Sequence, residues 1–441
     1  MGRIILIEPP SELNQYDDDI LGTGFYPPLW AISLATYVKE KKIEILDGQY
    51  RNVNRFIDNI DYENADIVGI SPKTKTYLPS LEIARRFKAN GAKVYFGGHH
   101  TAALAETILN NRGNQSEDYC VDGIVVGDGE EAFKKIIEGI SQKNIENLVF
   151  FGLGGLVRNK EVNLDLRELP FADRSLVDLE DYFNRFQKSY PNSLLKKPAL
   201  IYSQKGCDWR KKSGGCIFCG RMDAGVRHRT PEEFVAEINY LIESRGIDFV
   251  WDISDNFLSD DAWFYSFYDA YRRNKEKPKK RIFSRASSIT PQIAGMLADI
   301  NVYEVYIGAE SGDNGSLRRM KKGCTSKTNI QAATLLSKEG IRVHACHVLG
   351  APEENEESVK NTLDQVESLT SLDGVEVCGH ILEPMPGSEA FGLILEKEHG
   401  KYSGKDDYDR LEMERDWVSH FCNISYDRLK ELVKVIESFN R

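Results

Sequence analysis

The sequence predicts an α/β chain: a doubly wound parallel sheet first, a partial β/α barrel second and a helical tail last. Three observations carry this. The 441 residues are too many for one small core, so two or three domains are expected. Short apolar runs ending in glycine or proline alternate with stretches of helical periodicity in both halves, as βαβ units require. Between the halves, residues 146–195 lose that periodicity, and "RELPFADRSLVDLEDYF" reads as an irregular connector.

In the first half, "RIILIEP" is a short apolar run stopped by proline and "PLWAISLATYVKEKK" a helix whose closing lysines suit a helix C-terminus. "IEILDG" and "ADIVGIS" are the next strands, followed by the helical "LPSLEIARRFKANG". "AKVYFGG" and "GIVVGDG" are two more, the last running into the helix "EEAFKKIIEGI". Ligands of such sheets bind beyond the carboxyl ends of the strands. Those ends here are "EPP", "LDG", "GIS", "GGHH" and "GDGE", where glycine and small hydroxyls let a ligand approach the backbone. Neither G-x-G-x-x-G nor G-K-S/T occurs, so no nicotinamide dinucleotide or P-loop nucleotide is indicated.

The second half repeats the alternation. Its strand candidates are "KPALIYS", "DFVWDIS", "KRIFSRAS", "VYEVYIGAE", "IRVHACHVLG" and "GVEVCGHIL". Helices such as "TPEEFVAEINYLIES", with Pro231 at its start, and "SVKNTLDQVESL" lie between them. Strands so arranged give a partial barrel with chemistry at their carboxyl ends. The tail "SYDRLKELVKVIESF" reads as one amphipathic helix.

Hydrophobic residues at 41% and charged residues at 28% are ordinary for a soluble globular chain. The formal net charge of -11 argues against a general nucleic-acid binder and towards a small-molecule substrate. No apolar stretch is long enough to span a membrane, and the first apolar run is too short for an export signal. The expected compartment is the cytoplasm, where the eight cysteines are reduced, metal-bound or reactive. Cys120, Cys324, Cys346, Cys378 and Cys422 are scattered and read as packing residues. In "VHACHV", His344 and Cys346 share one strand face and His347 takes the other. The basic run Arg318, Arg319, Lys321 and Lys322 reads as a solvated helix, with recognition of an anionic group as the alternative.

The remaining three cysteines cluster in "GCDWRKKSGGCIFCGR". Cys207, Cys216 and Cys219 are spaced C-x8-C-x2-C. Structural zinc takes four ligands, and His228 is a candidate for the fourth. Three thiolates without a fourth ligand instead suit a [4Fe-4S] cluster with one iron left open. Arg210, Lys211, Lys212 and Arg221 would offset such a cluster's charge, or form a solvated loop.

This loop, after the first strand of a partial barrel, resembles that of the radical S-adenosylmethionine superfamily, whose usual spacing is C-x3-C-x2-C. The chain departs from it by five extra residues between the first two cysteines, while "CIFC" keeps the pattern with Phe218 before the third. "VRHRTPEEFVAEINYL" resembles the lead into that family's first barrel helix. "DISDNF" resembles its second-strand motif, with Ser254 where an acidic residue is more usual and Asp255 retained. "YIGAESG" resembles the motif whose glutamate, here Glu310, contacts the ribose of S-adenosylmethionine. "SRAS" offers Ser284 and Arg285 to that cofactor, and "VLGAPEE", with Gly350, and "LEPMPGS" resemble the closing strands.

The first half is similar to the cobalamin-binding domain attached to many such enzymes, through "YPPLWAISLATYVKE", "VGIS", "YFGGHHTAALAETIL" and "GDGEEAF". "LPFADRSLVDL" resembles their linker. The resemblance implies that Tyr26 and Pro27, Ser71, Pro72, Lys73 and Thr74, Gly97, Gly98 and His99, and Gly127, Asp128, Gly129 and Glu130 line the corrin and its nucleotide tail. The D-x-H-x-x-G signature is absent, since "DGQYRN" has Asp47 and Gln49 but no histidine. Cobalamin is therefore expected without a lower axial histidine from the protein. His99 and His100 are expected at the cofactor's periphery.

The domains implied are a Rossmann-like cobalamin-binding domain at 1–145, a linker at 146–195, a TIM-like partial (β/α)6 radical S-adenosylmethionine barrel at 196–390 and a helical extension at 391–441. The implied activity is reductive cleavage of S-adenosylmethionine and methyl transfer to an unactivated carbon, or phosphorus, of a small intermediate. Flavodoxin or ferredoxin would be the reducing partner. Cyclisation, ring contraction or sulfur insertion on the same scaffold is the alternative, and a cobalamin or redox sensor without turnover a further one.

Overall fold

The computed structural model describes residues 2–11, 24–39, 41–49, 51–223 and 225–440. Glu40 of the first helical stretch and Tyr50 of "DGQYRN" lie outside them. Among the described residues the first sheet contains β1 (Arg3–Glu8), β2 (Ile43–Asp47), β3 (Ala65–Ile70), β4 (Lys93–Phe96), β5 (Gly123–Val125), β6 (Leu148–Gly152) and β7 (Gly155–Arg158). Their order is β2-β1-β3-β4-β5-β6-β7. The first five run parallel, and β6 and β7 are antiparallel. The order reverses between β1 and β3, which makes the carboxyl ends of those strands the crevice for a ligand.

Alternation along the strands builds two cores. Ile5, Ile7, Val68 and Phe96 join Phe87 on one face, and Ile4, Leu6 and Tyr95 join Phe133 and Ile136 on the other. The stretch expected as a connector from 146 onward starts as sheet. Leu148 and Val149 are fully buried, and the tight β6–β7 hairpin extends the first sheet past residue 145. With no helix between them, these strands leave no βαβ alternation in the sequence.

The second half contains β8 (Pro198–Ile201), β9 (Gln204–Lys205), β10 (Arg227–His228), β11 (Phe249–Asp252), β12 (Lys279–Ser284), β13 (Val302–Glu310), β14 (Arg342–Leu349) and β15 (Val375–Ile381). Among the described residues, six parallel strands in the order β15-β14-β13-β12-β11-β8 make the expected open barrel, and β9 pairs with β10. The helix Pro231–Arg245 starts as predicted, with Pro231 in its first turn and a capping box between Thr230 and Glu233.

Period-two alternation separates the barrel's two faces. Val250, Ile282, Val305, Val343 and Ala345 pack beneath the outer helices. Phe249 and Trp251 instead pack in the lumen with Tyr26, Phe283 and Phe186. Arg281 lies 4.7 Å from the Trp251 ring centre. Tyr306 stacks on His344 at 4.4 Å, and His344 Nε2 is 2.5 Å from Glu304 Oε1. As expected, His347 faces the other way, with Gln365 Nε2 3.1 Å from its Nε2. The tail contains more than the one expected helix: Glu389–Lys397, His399–Tyr402 and Arg410–Phe421 precede Tyr426–Ser438, which packs on β15.

Candidate functional site

The cysteine loop leaves the carboxyl end of β8. Cys207 sits in extended backbone at the start of a short helix, Asp208–Ser213, which accommodates the long C-x8-C spacing. Gly214, at φ 82°, ends that helix in a left-handed turn that a residue with a β-carbon would strain. Cys219 N then donates to Cys216 O at 3.0 Å. The loop is held from several sides. Trp209 Nε1 donates to Lys321 O at 2.8 Å, Ile217 N to Met320 O at 3.2 Å and Ala390 N to Ile217 O at 2.9 Å. Arg210 Nη2 lies 3.1 Å from both the sulfur and the carbonyl of Cys219. Phe218 is half-buried between the last two cysteines.

Two buried cations stand beside this loop. Lys322, read from sequence as part of a solvated run, is buried and 2.7 Å from Glu310 Oε1. The Arg285 guanidinium lies 4.6 Å from the Trp209 ring and donates to Lys322 O. The Cys216 thiol is raised above its ordinary value, by burial first and by Glu310 and Cys219, with Lys322 and Arg285 opposing. Glu310 closes β13 at φ 58°, a strained conformation for a non-glycine residue. A β-carbon on Gly308 would come within 2.2 Å of Glu310 Oε1 and 2.5 Å of Lys322 Nζ, so only glycine allows this pair to fold back on its strand.

The donor set fits a thiolate-bound cluster: three free, partly exposed cysteines, one receiving an arginine N–H and one flanked by two cations. Among the described residues no three His, Cys, Asp or Glu side chains gather as ligands of a single ion. His228, the fourth ligand of the zinc alternative, is stacked on Trp263 at 5.6 Å. Each thiolate of a cubane meets a different iron, so convergence on one point is not needed. Nearby, Gln204 Oε1 and Asp252 Oδ2 are buried acceptors without a partner among the described residues, which suits a ligand carrying ammonium or hydroxyl donors.

Other residues singled out on the barrel are occupied by the protein itself. Ser254 Oγ donates to Asp252 Oδ1 at 2.5 Å and accepts from Ser203 N and Gln204 N at 3.1 Å each. Gly350 O accepts from Trp417 Nε1 at 2.8 Å, and its N–H donates to Glu354. Ser284 Oγ is 3.2 Å from Arg285 O.

On the first sheet, the strand ends form an open cradle. A β-carbon on Gly97 or Gly127 would meet nothing nearer than 3.9 Å, while one on Gly98 would lie 2.8 Å from Ser71 Oγ. Buried His100 Nε2 and Glu130 Oε2 have no partner among the described residues. This fits a large polar ligand lying over the backbone. Pro72 is buried beneath the rim, and Gly129 precedes the helix Glu130–Ile137. Lys73 Nζ is 2.9 Å from the buried Glu8, and Thr74 Oγ1 is 3.1 Å from His100 Nδ1. Tyr26 and Pro27 are buried, and Tyr26 lies edge-on to Trp251 at 5.5 Å, turned to the barrel lumen instead of the sheet. Where the axial-ligand signature would fall, Asp47 accepts from Tyr182 Oη at 2.6 Å, and Gln49 Nε2 is 3.4 Å from Tyr26 O.

Among the polar contacts that tie the first sheet's domain to the barrel, two lie at the candidate site. Asp128 is buried and accepts from Lys205 Nζ and Leu164 N at 2.8 Å and from Arg227 Nη1 at 2.5 Å. Burial alone would raise its carboxyl; Lys205 and Arg227 hold it below the usual value. Asp128 is therefore a clamp on the β9–β10 pair, a role its place in "GDGE" did not suggest. In the second bridge, Arg221 donates to His99 Nε2 at 2.7 Å and lies 3.0 Å from Asp255 Oδ1. It links an end of the first sheet to the segment just after Cys219. The sequence singled out Lys322, Asp128 and Arg221 without their partners, because those partners are distant along the chain.

Comparison with known proteins agrees with this arrangement. Residues 22–137 match the B12 binding domain and residues 201–366 the radical SAM superfamily. An uncharacterized methyltransferase of Pyrococcus horikoshii is 24% identical over 428 residues, 92% of this chain and 87% of that protein. Among solved structures, the radical S-adenosylmethionine methyltransferase TsrM from Kitasatospora setae has the same fold, with TM-score 0.67 and 18% identity over 90% of this chain and 75% of its own. The cobalamin-dependent S-adenosylmethionine radical enzyme OxsB matches with TM-score 0.66 and 19% identity over 99% of this chain and 62% of its own. The chain therefore carries a B12 binding domain, residues 22–137, ahead of a radical SAM domain, residues 201–366.

Proposed function

We propose that this enzyme is a cobalamin-dependent methyltransferase acting on an unactivated carbon, or phosphorus, of a small biosynthetic intermediate. The observation that carries the reading is the His99–Arg221–Asp255 bridge, which sets the open cradle of the first sheet beside the cysteine loop of the barrel. When bound, the cluster would supply one electron to S-adenosylmethionine, and cobalamin a transferable methyl group. Cys207, Cys216 and Cys219 hold the cluster in this reading, and Lys322, Arg285 and Arg210 offset its negative charge. Glu310, held by Lys322, keeps a second carboxylate oxygen for ribose hydroxyls. The aromatic lumen of Trp251, Phe283 and Tyr306 excludes water from the space where a substrate carbon would react. Gly97, Gly98 and Gly127 would allow close approach of the corrin, while Asp47 and Gln49 are engaged with Tyr182 and Tyr26. Flavodoxin or ferredoxin in the cytoplasm is the reductant that completes the scheme.

The test is anaerobic purification, reconstitution with iron and sulfide, and absorption spectroscopy with and without hydroxocobalamin. The expected result is a broad thiolate-to-iron band plus corrin bands that survive desalting. Replacing Cys216 and Cys219 by Ala removes the first and leaves the second. Zinc in place of iron would overturn the radical reading, and corrin lost on desalting would overturn methyl transfer.

A further inference from the structure

Between Cys207 and Cys216 the loop is five residues longer than the usual radical S-adenosylmethionine spacing, and the proposed function gives that length no task. It is taken up by the helix Asp208–Ser213, whose two faces differ. The inner face holds the loop: Trp209 Nε1 donates to Lys321 O at 2.8 Å, and Arg210 Nη2 lies 3.1 Å from the Cys219 sulfur. Successive helix residues turn by about 100°, so Lys211 and Lys212 project from the opposite face with Asp208. Both lysines are exposed, and Lys212 Nζ lies 2.9 Å from Asp208 Oδ2 one turn back.

Neighbouring segments extend this face. Lys321, whose carbonyl Trp209 holds, is exposed and 2.5 Å from the exposed Glu389. Met222 and Met385 are 43% and 39% exposed, unusual for large apolar side chains beside a polar loop. A β-carbon on Gly387 would lie 3.2 Å from Met222 Cγ, and one on Gly220 3.1 Å from Met385 Cβ, so both methionines sit where the cysteine loop meets the segment after β15. From Cys207 to Arg221 the chain carries four basic residues and one acid, against a formal net charge of -11 overall, so the sign of the charge reverses here. The first sheet lies on the Arg221 side of the loop and the barrel on the Lys322 side. The way in from solvent is therefore across the helix, about 10–12 Å thick with its side chains. Lys212 and Lys321 each pair with an acid, so the positive excess is modest. A small, mixed patch with exposed methionines suits a transient protein contact; a polyanion needs many more cations.

We propose that the outer face of the helix Asp208–Ser213, with Lys211, Lys212, Lys321, Met222 and Met385, is the docking surface for the electron donor, a small acidic one-electron carrier protein. That there is a cluster to reduce rests on the proposed function; the surface is read from charge and exposure alone. One electron passes from the reduced carrier to the cluster held by the three cysteines, the carrier is oxidised by one electron, and no bond or proton moves. Opposite charge on the two faces speeds their encounter, and salt removes that advantage.

The experiment mixes the reconstituted full-length protein with reduced flavodoxin, without oxygen, and follows the loss of the thiolate-to-iron band at low and high salt. Carbodiimide cross-linking of the same pair, mapped by peptide mass spectrometry, reports the contact itself. Lys211→Glu with Lys212→Glu should slow reduction by about tenfold at low salt and abolish cross-links from flavodoxin carboxylates to this helix. Dithionite, a small reductant that needs no docking face, should reduce both proteins at the same rate, which shows that the cluster site is intact. Lys338→Glu, on the helix Ser326–Lys338, should leave both rates as they are. The proposal is overturned by an unchanged flavodoxin rate in the double variant, by cross-links that map to other lysines, or by cross-links between two copies of this chain. Retention of a short RNA by the natural chain and not by the double variant would assign the patch to nucleic acid instead. If no iron band forms on reconstitution, it is the proposed function that fails, and the cross-links still decide the surface.

Discussion

Replacing Glu354 by Gln tests whether one buried carboxyl makes the barrel less stable as pH rises. Glu354 lies just beyond β14 with no exposed surface. One of its oxygens accepts the Gly350 N–H, and Oε1 has no partner among the described residues. Burial pushes the carboxyl up from 4.5 to about 7, against the backbone N–H groups of Gly350 and Ala351. An acid whose folded pKa is raised contributes its full stability below the unfolded value and loses it as pH climbs through the folded one. Here the window runs from 4.5 to about 7, and the loss by pH 8 is about 3 kcal/mol. Gln has nearly the same shape, still accepts the Gly350 N–H and never ionises. Urea unfolding, followed by tryptophan fluorescence, reads the effect close to the site, because Trp417 Nε1 donates to Gly350 O at 2.8 Å. The natural chain should lose about 2–3 kcal/mol more than E354Q between pH 5 and pH 8. Equal losses in the two proteins would refute the reasoning.

Asp128→Asn removes the charge that holds Lys205 and Arg227 across the domain boundary. Both cations are partly exposed and can rehydrate, so the cost should be about 3 kcal/mol, the lower end of the range for breaking a buried pair. The Asp128 carboxyl is lowered in the fold, so its contribution is present above the ordinary value of 3.8 and is lost as pH falls through the folded one. Faster hydrogen exchange in β9 and β10 of the variant checks this, and unchanged exchange would contradict the clamp. Trp251→Ala opens a cavity between Tyr26 and Phe283, whose rings lie 5.5 and 5.7 Å from the indole. It should cost about 3–5 kcal/mol; a loss under about 1 kcal/mol in denaturant unfolding would mean that this cluster does not brace the lumen.

The strand positions were legible because each strand repeats a local pattern. "RIILIEP", "ADIVGIS", "KRIFSRAS" and "VYEVYIGAE" each stop at a glycine, proline or polar turn, and helices of fitting length separate them. The face assignment of His344, Cys346 and His347 was legible for the same reason, since side-chain alternation is a property of a single strand. The β6–β7 hairpin escaped notice because no helix marks it.

What the sequence by itself determined is the strand–helix alternation of the two halves, the open six-stranded barrel and the three cysteines available to a cluster. Only the tertiary structure decided that Lys322 leaves a basic run to pair with Glu310, and that Asp128 holds the β9–β10 pair across the domain boundary. It also turned Tyr26 towards the lumen and made Cys346 and Cys378 neighbours. These residues lie far apart along the chain, and nothing local to either partner encodes the other. Strand order and register bring them together, and those follow from packing the whole core at once.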